Sequence, residues 1–288
     1  MRAPCGKPQP DRNCTKFERN RPLALRGSAR PAIKTIASTG HHRMTLPITY
    51  EARGRVAHIT LRRPERRNAL NAEMSSLLNE YWLRFAASDE RVALLSAEGD
   101  HFCAGVDVSD PSKEAWKGVP NVGVKLEKPL ISAVQGWAVG AGFTLTMMSD
   151  LCIVDDTAQF MFPEAKLGLF GGITAGLVSR IPQKVALEFL MLGEPLPAAR
   201  AYEVGLVNRV TAKGGAHAAA LEWAERLADA APLVIQTIKR ATLETLPKSP
   251  AEIAYPQMGY LTEIAQSDDY KEGVAAFKEK RKADFKGR

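Results

Sequence analysis

The sequence predicts an α/β fold with a mostly helical C-terminal part, and three observations support this class. Short apolar, strand-like runs alternate with helical patterns up to about residue 162. From residue 173 onward, apolar residues recur every three or four positions, which is the helical period. Two glycine-rich segments, 102–107 and 136–142, each follow a strand-like run. Strands among helices early in the chain, followed by helices alone, are typical of this class.

The first predicted elements are a strand pair and a helix. Residues 49–52 and 55–62 have strand composition and are separated by Arg53-Gly54, a turn dipeptide. Asn71 is a suitable N-cap for the helix that follows. The apolar residues of that helix fall on one face, namely Met74, Leu77, Leu78, Tyr81, Trp82 and Phe85.

The pattern then repeats before the helices take over. We predict strands at 92–96, 130–135, 151–155 and 158–162, with a helix at 142–149. Further helices are predicted at 173–180, 182–192, 198–204, 216–230, 232–245, 251–265 and 268–282. No linker divides residues 44–288, so we predict one domain, with a core at about 44–200 and a helical part at about 201–288.

The net charge of +7 is concentrated in one segment. Residues 1–43 carry ten Lys and Arg against Asp11 and Glu18, which leaves the rest nearly neutral. This segment is rich in Pro and Arg without apolar periodicity, so we predict a disordered extension. Three explanations stay open: an upstream start ahead of Met44, a targeting segment, or a basic arm. The main domain gives no reason to expect nucleic-acid binding.

Composition excludes several other classes. No apolar run approaches the ~20 residues of a membrane-spanning helix, so no membrane association is expected. Cys103 and Cys152 lie in apolar contexts without a C-x-x-C pattern, which predicts buried thiols in a reducing compartment, and we expect a cytoplasmic protein. Residue 145 is Leu where a dinucleotide fingerprint needs its third Gly. The sequence contains neither a Gly-x-Ser-x-Gly nor a His-Glu-x-x-His motif.

The two glycine-rich segments are the candidate site. Their residues are small enough to let backbone approach a ligand, and Ala141 would lie at a helix N-terminus with free N–H groups. Two such donors at one carbonyl oxygen would form an oxyanion hole. The alternative is that both segments are tight turns that need small residues.

Five ordered motifs resemble the enoyl-CoA hydratase/isomerase family, the crotonase superfamily. They span about residues 46–286 and comprise Leu61–Asn71, His101–Asp107, Lys128–Gly142, Ala158–Gly168 and Phe277–Lys286. The resemblance implies a spiral of ββα turns with a helical C-terminal region. It further implies an acyl-CoA substrate, no separate cofactor, and assembly as a homotrimer or a dimer of trimers.

The resemblance also implies roles for individual residues. The oxyanion donors would be the backbone N–H groups of Val106 and Ala141, and Glu164 would be the acid/base. The second carboxylate of the hydratases would fall at residue 144, which is Thr144. Contacts to the acyl-CoA are expected from Arg66, Arg67, Ala104, Asp107, Gly140, Phe277, Lys280 and Lys282.

Thr144 separates the possible reactions. It can hold a water but cannot accept its proton near neutral pH, whereas hydration needs a base and an acid. A single carboxylate suits the shift of a double bond, so the sequence favours an isomerase. The open alternatives are a hydratase whose other groups hold the water, a lyase or hydrolase variant, and a non-catalytic acyl-CoA-binding member whose basic segment contacts RNA.

Overall fold

Two β-sheets organise the protein, whose computed structural model describes residues 46–288. The strands are β1 (Ile48–Arg53), β2 (Val56–Leu61), β3 (Val92–Ala97), β4 (Leu130–Val134), β5 (Trp137–Val139), β6 (Leu151–Asp155), β7 (Gln159–Met161), β8 (Leu196–Pro197) and β9 (Arg209–Thr211). The larger sheet has the order β1-β2-β3-β4-β6-β9, and the smaller has the order β5-β7-β8.

The helices separate and follow these strands. They are α1 (Ala72–Ala87), α2 (Ala141–Met147), α3 (Glu164–Leu167), α4 (Gln183–Leu192), α5 (Ala198–Glu203), α6 (Ala216–Asp229), α7 (Pro232–Thr245), α8 (Pro250–Gln266) and α9 (Asp268–Glu279). Short 3₁₀ turns lie at Pro64–Arg66, Ala115–Gly118 and Ile173–Ser179. Over residues 46–288, no helix combines the length and apolar character needed to cross a membrane.

The larger sheet begins with an antiparallel hairpin and continues in parallel. β1 and β2 pair around Gly54, whose φ of 60° favours glycine. β2, β3, β4, β6 and β9 then run parallel to their neighbours. α1 covers one face, where Trp82 and Phe85 are fully buried, and the alanine-rich face of α6 covers the other. Parallel strands need this cover on both faces.

The smaller sheet brings the glycine-rich segments side by side. β5 lies inside the second segment and pairs with β7 in parallel. Isolated bridges extend the same layer, because Cys103 pairs with Ala138 and Leu70 pairs with Val106. Segments that are distant in sequence therefore become neighbours along one edge.

The structure confirms the α/β class with a helical C-terminal region. Asn71 caps α1 by accepting a hydrogen bond from the Met74 amide at 2.9 Å, as predicted. The helix predicted at 173–180 is instead a 3₁₀ turn, and α9 ends at Glu279 because Lys280 has a φ of 52°. β5, β8, β9 and α3 were not predicted, and β9 lies within the otherwise helical part. The prediction for residues 1–43 lies outside the described residues.

Candidate active site

Glu164 is a half-buried carboxyl at the first turn of α3, just after β7. Its Oε2 is buried, and it finds no hydrogen-bond partner within residues 46–288. Burial raises the pKa of Glu164 to about 7, since the charged form loses hydration. A carboxyl with that pKa can accept and return a proton near neutral pH.

The Glu164 carboxyl lies against the second glycine-rich segment. A Cβ added to Gly140 would stand 2.7 Å from Glu164 Oε1, so the absence of a side chain there makes room for the carboxyl. A Cβ added to Gly105 would stand 4.0 Å from the Ala141 nitrogen. Both glycine-rich segments and Glu164 therefore meet at one place, as the sequence predicts.

Val106 is held with its amide facing away from Leu70. The Leu70 amide donates to Gly105 O at 2.7 Å, and the Asp107 amide donates to Leu70 O at 2.9 Å. In a parallel bridge this pattern turns the N–H of the middle residue, Val106, to the other side. In the part of the chain that the structure describes, the Val106 amide donates to no other group.

Ala141 supplies the second candidate donor. It is the first residue of α2, and the first intrahelical bond of that helix is donated by the Thr144 amide to Gly140 O. The amides of a first helical turn lack intrahelical acceptors. Within residues 46–288 the Ala141 amide has no acceptor, so it can donate to a ligand.

Thr144 is buried and bonded within its own helix. Its Oγ1 donates to Gly140 O at 3.0 Å. α2 carries no carboxylate, so the second carboxylate that the family motif would place at residue 144 has no counterpart on this helix. Glu164 is the carboxyl that lies against Gly140.

Asp107 uses both carboxylate oxygens inside the chain. Oδ1 accepts from the amide and hydroxyl of Ser109, and Oδ2 accepts from Arg63 Nη1 at 2.7 Å. These hydrogen bonds lower the pKa of Asp107 to about 2. A contact between Asp107 and substrate stays a prediction. Arg63, which was not singled out from the sequence, stands in the first motif next to Pro64.

The predicted acyl-CoA contacts fall into two groups. In the first group, the Ala104 amide donates to Arg67 O at 2.9 Å, which places Arg67 beside the first glycine-rich segment. Arg67 and the neighbouring Arg66 are both exposed. The second group, on or just after α9, comprises Phe277, Lys280 and Lys282. α9 packs on α8, and no hydrogen bond within the described chain joins this group to the glycine-rich segments. The roles of both groups stay predictions.

The thiols of Cys103 and Cys152 are not assigned a part in the reaction. Cys103 and Cys152 are buried free thiols, and burial raises the pKa of each to about 12, so neither is a thiolate at neutral pH.

A cavity of about 1050 Å³ lies between α7, α8 and the C-terminal end of α2. Its lining includes none of Val106, Ala141 and Glu164, so we do not assign it to the reaction.

Comparison with known proteins finds relatives over nearly the whole described chain. The family model "Enoyl-CoA hydratase/isomerase" matches residues 51–288. The enoyl-CoA hydratase EchA19 of Mycobacterium tuberculosis is 35% identical over 256 residues, covering 83% of this chain and 96% of that protein. The (E)-benzylidenesuccinyl-CoA hydratase of Thauera aromatica is 36% identical over 257 residues, covering 84% of this chain and 100% of that protein.

Solved structures are similar over the same region. The carnitinyl-CoA hydratase of Mycobacterium avium superposes with a TM-score of 0.66 at 35% identity, covering 85% of this chain and 100% of that structure. An enoyl-CoA hydratase of Mycobacterium tuberculosis superposes with a TM-score of 0.64 at 35% identity, with coverage of 85% and 100%. The fold is therefore crotonase-like, as the motifs imply. A match that runs from β1 to the C-terminus, to proteins covered over nearly their whole length, makes this chain an enzyme of the enoyl-CoA hydratase/isomerase family.

Proposed function

We propose that the protein isomerises an enoyl-CoA thioester, with Glu164 as the only proton-transferring side chain. The thioester oxygen would lie between the amides of Val106 and Ala141. Two observations together carry the proposal. Glu164 is half-buried and its Oε2 has no partner within residues 46–288, whereas Thr144 is bonded within its own helix.

The proton balance of this reaction needs one carboxyl. Glu164 would remove a proton from C2 of a 3-enoyl-CoA, and the electrons would pass into the conjugated enolate. The two amides would stabilise the negative oxygen, which is where such donors contribute most. The protonated Glu164 would then return the proton to C4 and give the 2-enoyl-CoA. A pKa of about 7 suits both halves of this exchange.

Hydration of a 2-enoyl-CoA is the second candidate, and the names of the relatives favour it. The relatives described above are named hydratases, and a Proteus mirabilis protein with 33% identity is named carnitinyl-CoA dehydratase. In this chain Glu164 would have to deprotonate the water and then protonate C2. Thr144 Oγ1 already donates its proton to Gly140 O, so it could hold that water only as an acceptor, and other groups would have to complete the water's position.

The remaining expectations concern binding and assembly. Arg66 and Arg67 are exposed and positively charged, which suits contacts to the phosphates of coenzyme A.

A homotrimer or dimer of trimers is the proposed assembly, supported by large apolar side chains exposed on α7 and α8, such as Leu233 and Leu261. The cytoplasm is the proposed location, on the strength of the cysteine usage alone.

The test is mass-resolved chromatography of 2-enoyl- and 3-enoyl-CoA thioesters of short and medium length after incubation with the enzyme. We expect the 3-enoyl substrate to convert to the 2-enoyl isomer without gain of mass. Glu164→Gln should bind acyl-CoA but lose this conversion. A 2-enoyl substrate that gains one water would establish hydration instead. Turnover of neither series would favour the non-catalytic alternative, and wild-type turnover by Glu164→Gln would refute the role of Glu164.

A further inference from the structure

The guanidinium of Arg63 joins the two chain segments that flank the Val106 amide. Nη1 donates to Ala69 O at 3.2 Å on one segment and to Asp107 Oδ2 at 2.7 Å on the other. The Arg63 side chain is 19% exposed and that of Asp107 is 10% exposed. A shielded, charge-assisted contact of this kind restricts motion more than an exposed ion pair does.

The backbone of Arg63 is itself fixed by Asn68. The Arg63 amide donates to Asn68 Oδ1 at 2.8 Å, and the Asn68 amide donates to Arg63 O at 2.9 Å. Asn68 is fully buried, and its Nδ2 donates to the carbonyls of Glu98 and His101. The base of the Arg63 side chain therefore has a defined position relative to the first glycine-rich segment.

Asp107 connects the Arg63 side chain to the peptide that carries the Val106 amide. It follows Val106 directly, and its own amide donates to Leu70 O at 2.9 Å. Its carboxylate is held by Ser109 on one oxygen and Arg63 on the other. Two contacts therefore fix the peptide that precedes Asp107. Its backbone is held by the Leu70–Val106 bridge, and the Asp107 side chain is held by Arg63.

We propose that Arg63 is a positioning residue that sets the direction of the Val106 amide toward the thioester oxygen, acting through Asp107. This inference rests on the proposed function, in which the Val106 amide binds that oxygen. Arg63 itself does not touch substrate. Its loss should weaken stabilisation of the enolate more than binding of acyl-CoA, because a small misalignment of a donor is felt most in the transition state.

The first test is kinetic, with the enoyl-CoA substrate that the chromatography above shows to be turned over. We expect Arg63→Met to lower kcat by about 10- to 100-fold, less than or similar to the loss of a whole oxyanion donor, with KM changed by less than about threefold. Arg63→Lys should recover part of kcat, since one ammonium can reach Asp107. Arg62→Met is the matched control, because the neighbouring Arg62 forms its ion pair with Glu98 and none with Asp107 among the described residues. Thermal unfolding of each variant verifies that it is folded.

A double variant tests whether Arg63 acts through Asp107. The Arg63→Met/Asp107→Asn enzyme should lose no more kcat than the more impaired single variant, because both changes release the same peptide. Additive losses would show that Arg63 acts independently of Asp107 and would overturn the proposal. A raised KM with unchanged kcat would also overturn it, by placing Arg63 at the coenzyme A.

A spectroscopic test separates this inference from the proposed function. The probe is hexanoyl-CoA labelled with ¹³C at the thioester carbonyl, which binds but cannot be isomerised or hydrated. Donors that polarise the carbonyl lower its infrared stretching frequency. We expect the shift in wild type and Glu164→Gln, and a smaller shift in Arg63→Met. A full shift in Arg63→Met overturns the positioning role alone, whereas no shift in wild type overturns the oxyanion hole and this inference together.

Discussion

Glu164 and Gly140 lie so close that a Cβ on Gly140 would stand 2.7 Å from Glu164 Oε1. Gly140 also has a φ of 50°, a backbone conformation that glycine favours. The glycine thus makes room for the proposed acid/base and turns the chain into α2. A substitution at Gly140 would therefore affect both the position of the Glu164 carboxyl and the backbone, and a control glycine can separate the two effects.

The Gly140→Ala variant should lose activity because its methyl would displace the Glu164 carboxyl. We expect kcat to fall by about 100-fold, which is typical of a reacting group misplaced by about 1 Å. Gly168→Ala is the matched control, because Gly168 has a φ of 68° with open space around its Cβ position. Similar kcat losses in both variants would attribute the effect to backbone strain rather than to contact with Glu164.

The pH dependence of kcat/KM should follow the ionisation of Glu164. Burial raises its pKa to about 7, and the carboxylate is the form that removes a proton. Activity on a 3-enoyl-CoA should therefore be low at acidic pH, rise through about pH 7, and level off above it. Because the cause is burial rather than a neighbouring charge, the midpoint should move little between about 0.05 and about 0.5 M salt. A midpoint near the ordinary value of 4.5 would contradict this account.

Replacing Thr144 should shift the balance between isomerisation and hydration. Thr144→Glu would place a second carboxyl on α2, and we expect a gain in hydration of 2-enoyl-CoA of about tenfold or more. Thr144→Gln has a similar size but cannot transfer protons, so it should show no such gain. Equal hydration by the Glu and Gln variants would mean that side-chain volume, not proton transfer, controls this step.

Lys239 and Asp150 should behave as a buried ion pair that attaches α7 to the larger sheet. Lys239 Nζ lies 2.7 Å from Asp150 Oδ2, which also accepts from the Leu130 amide. Lys239→Met would leave Asp150 buried and unpaired, and we expect the free energy of unfolding to fall by about 3 kcal/mol. Chemical denaturation measures this loss.

Two controls define the Lys239 experiment. Arg240→Met changes an exposed neighbour on the same helix and should have little effect. In an Asp150→Asn background, Lys239→Met should cost less, because no charge is left behind. Equal costs in both backgrounds would show that Lys239 contributes through its aliphatic packing instead.

The local elements follow from the sequence because their causes are local. Asn71 predicts the start of α1 by its capping oxygen, and Arg53-Gly54 predicts the turn between β1 and β2. β5 and β8 could not be predicted, since they contain only three and two residues and owe their strand geometry to pairing with β7. The turn at Ile173–Ser179 has a helical apolar pattern in the sequence, and in the structure it is a 3₁₀ turn that packs on α2, α4 and α8.

The sequence by itself determined the α/β class and the two glycine-rich segments, because each depends on residue type and spacing. The expectations for Glu164 and Thr144 came from the resemblance of its motifs to the family. Only the tertiary structure decided that Glu164 lies against Gly140, that the Val106 amide faces away from Leu70, and that Arg63 reaches Asp107 across 44 positions of sequence. These relationships join segments distant along the chain. Periodicity and local propensity report only on neighbours in sequence, so contacts of this kind are set by how the two sheets fold together.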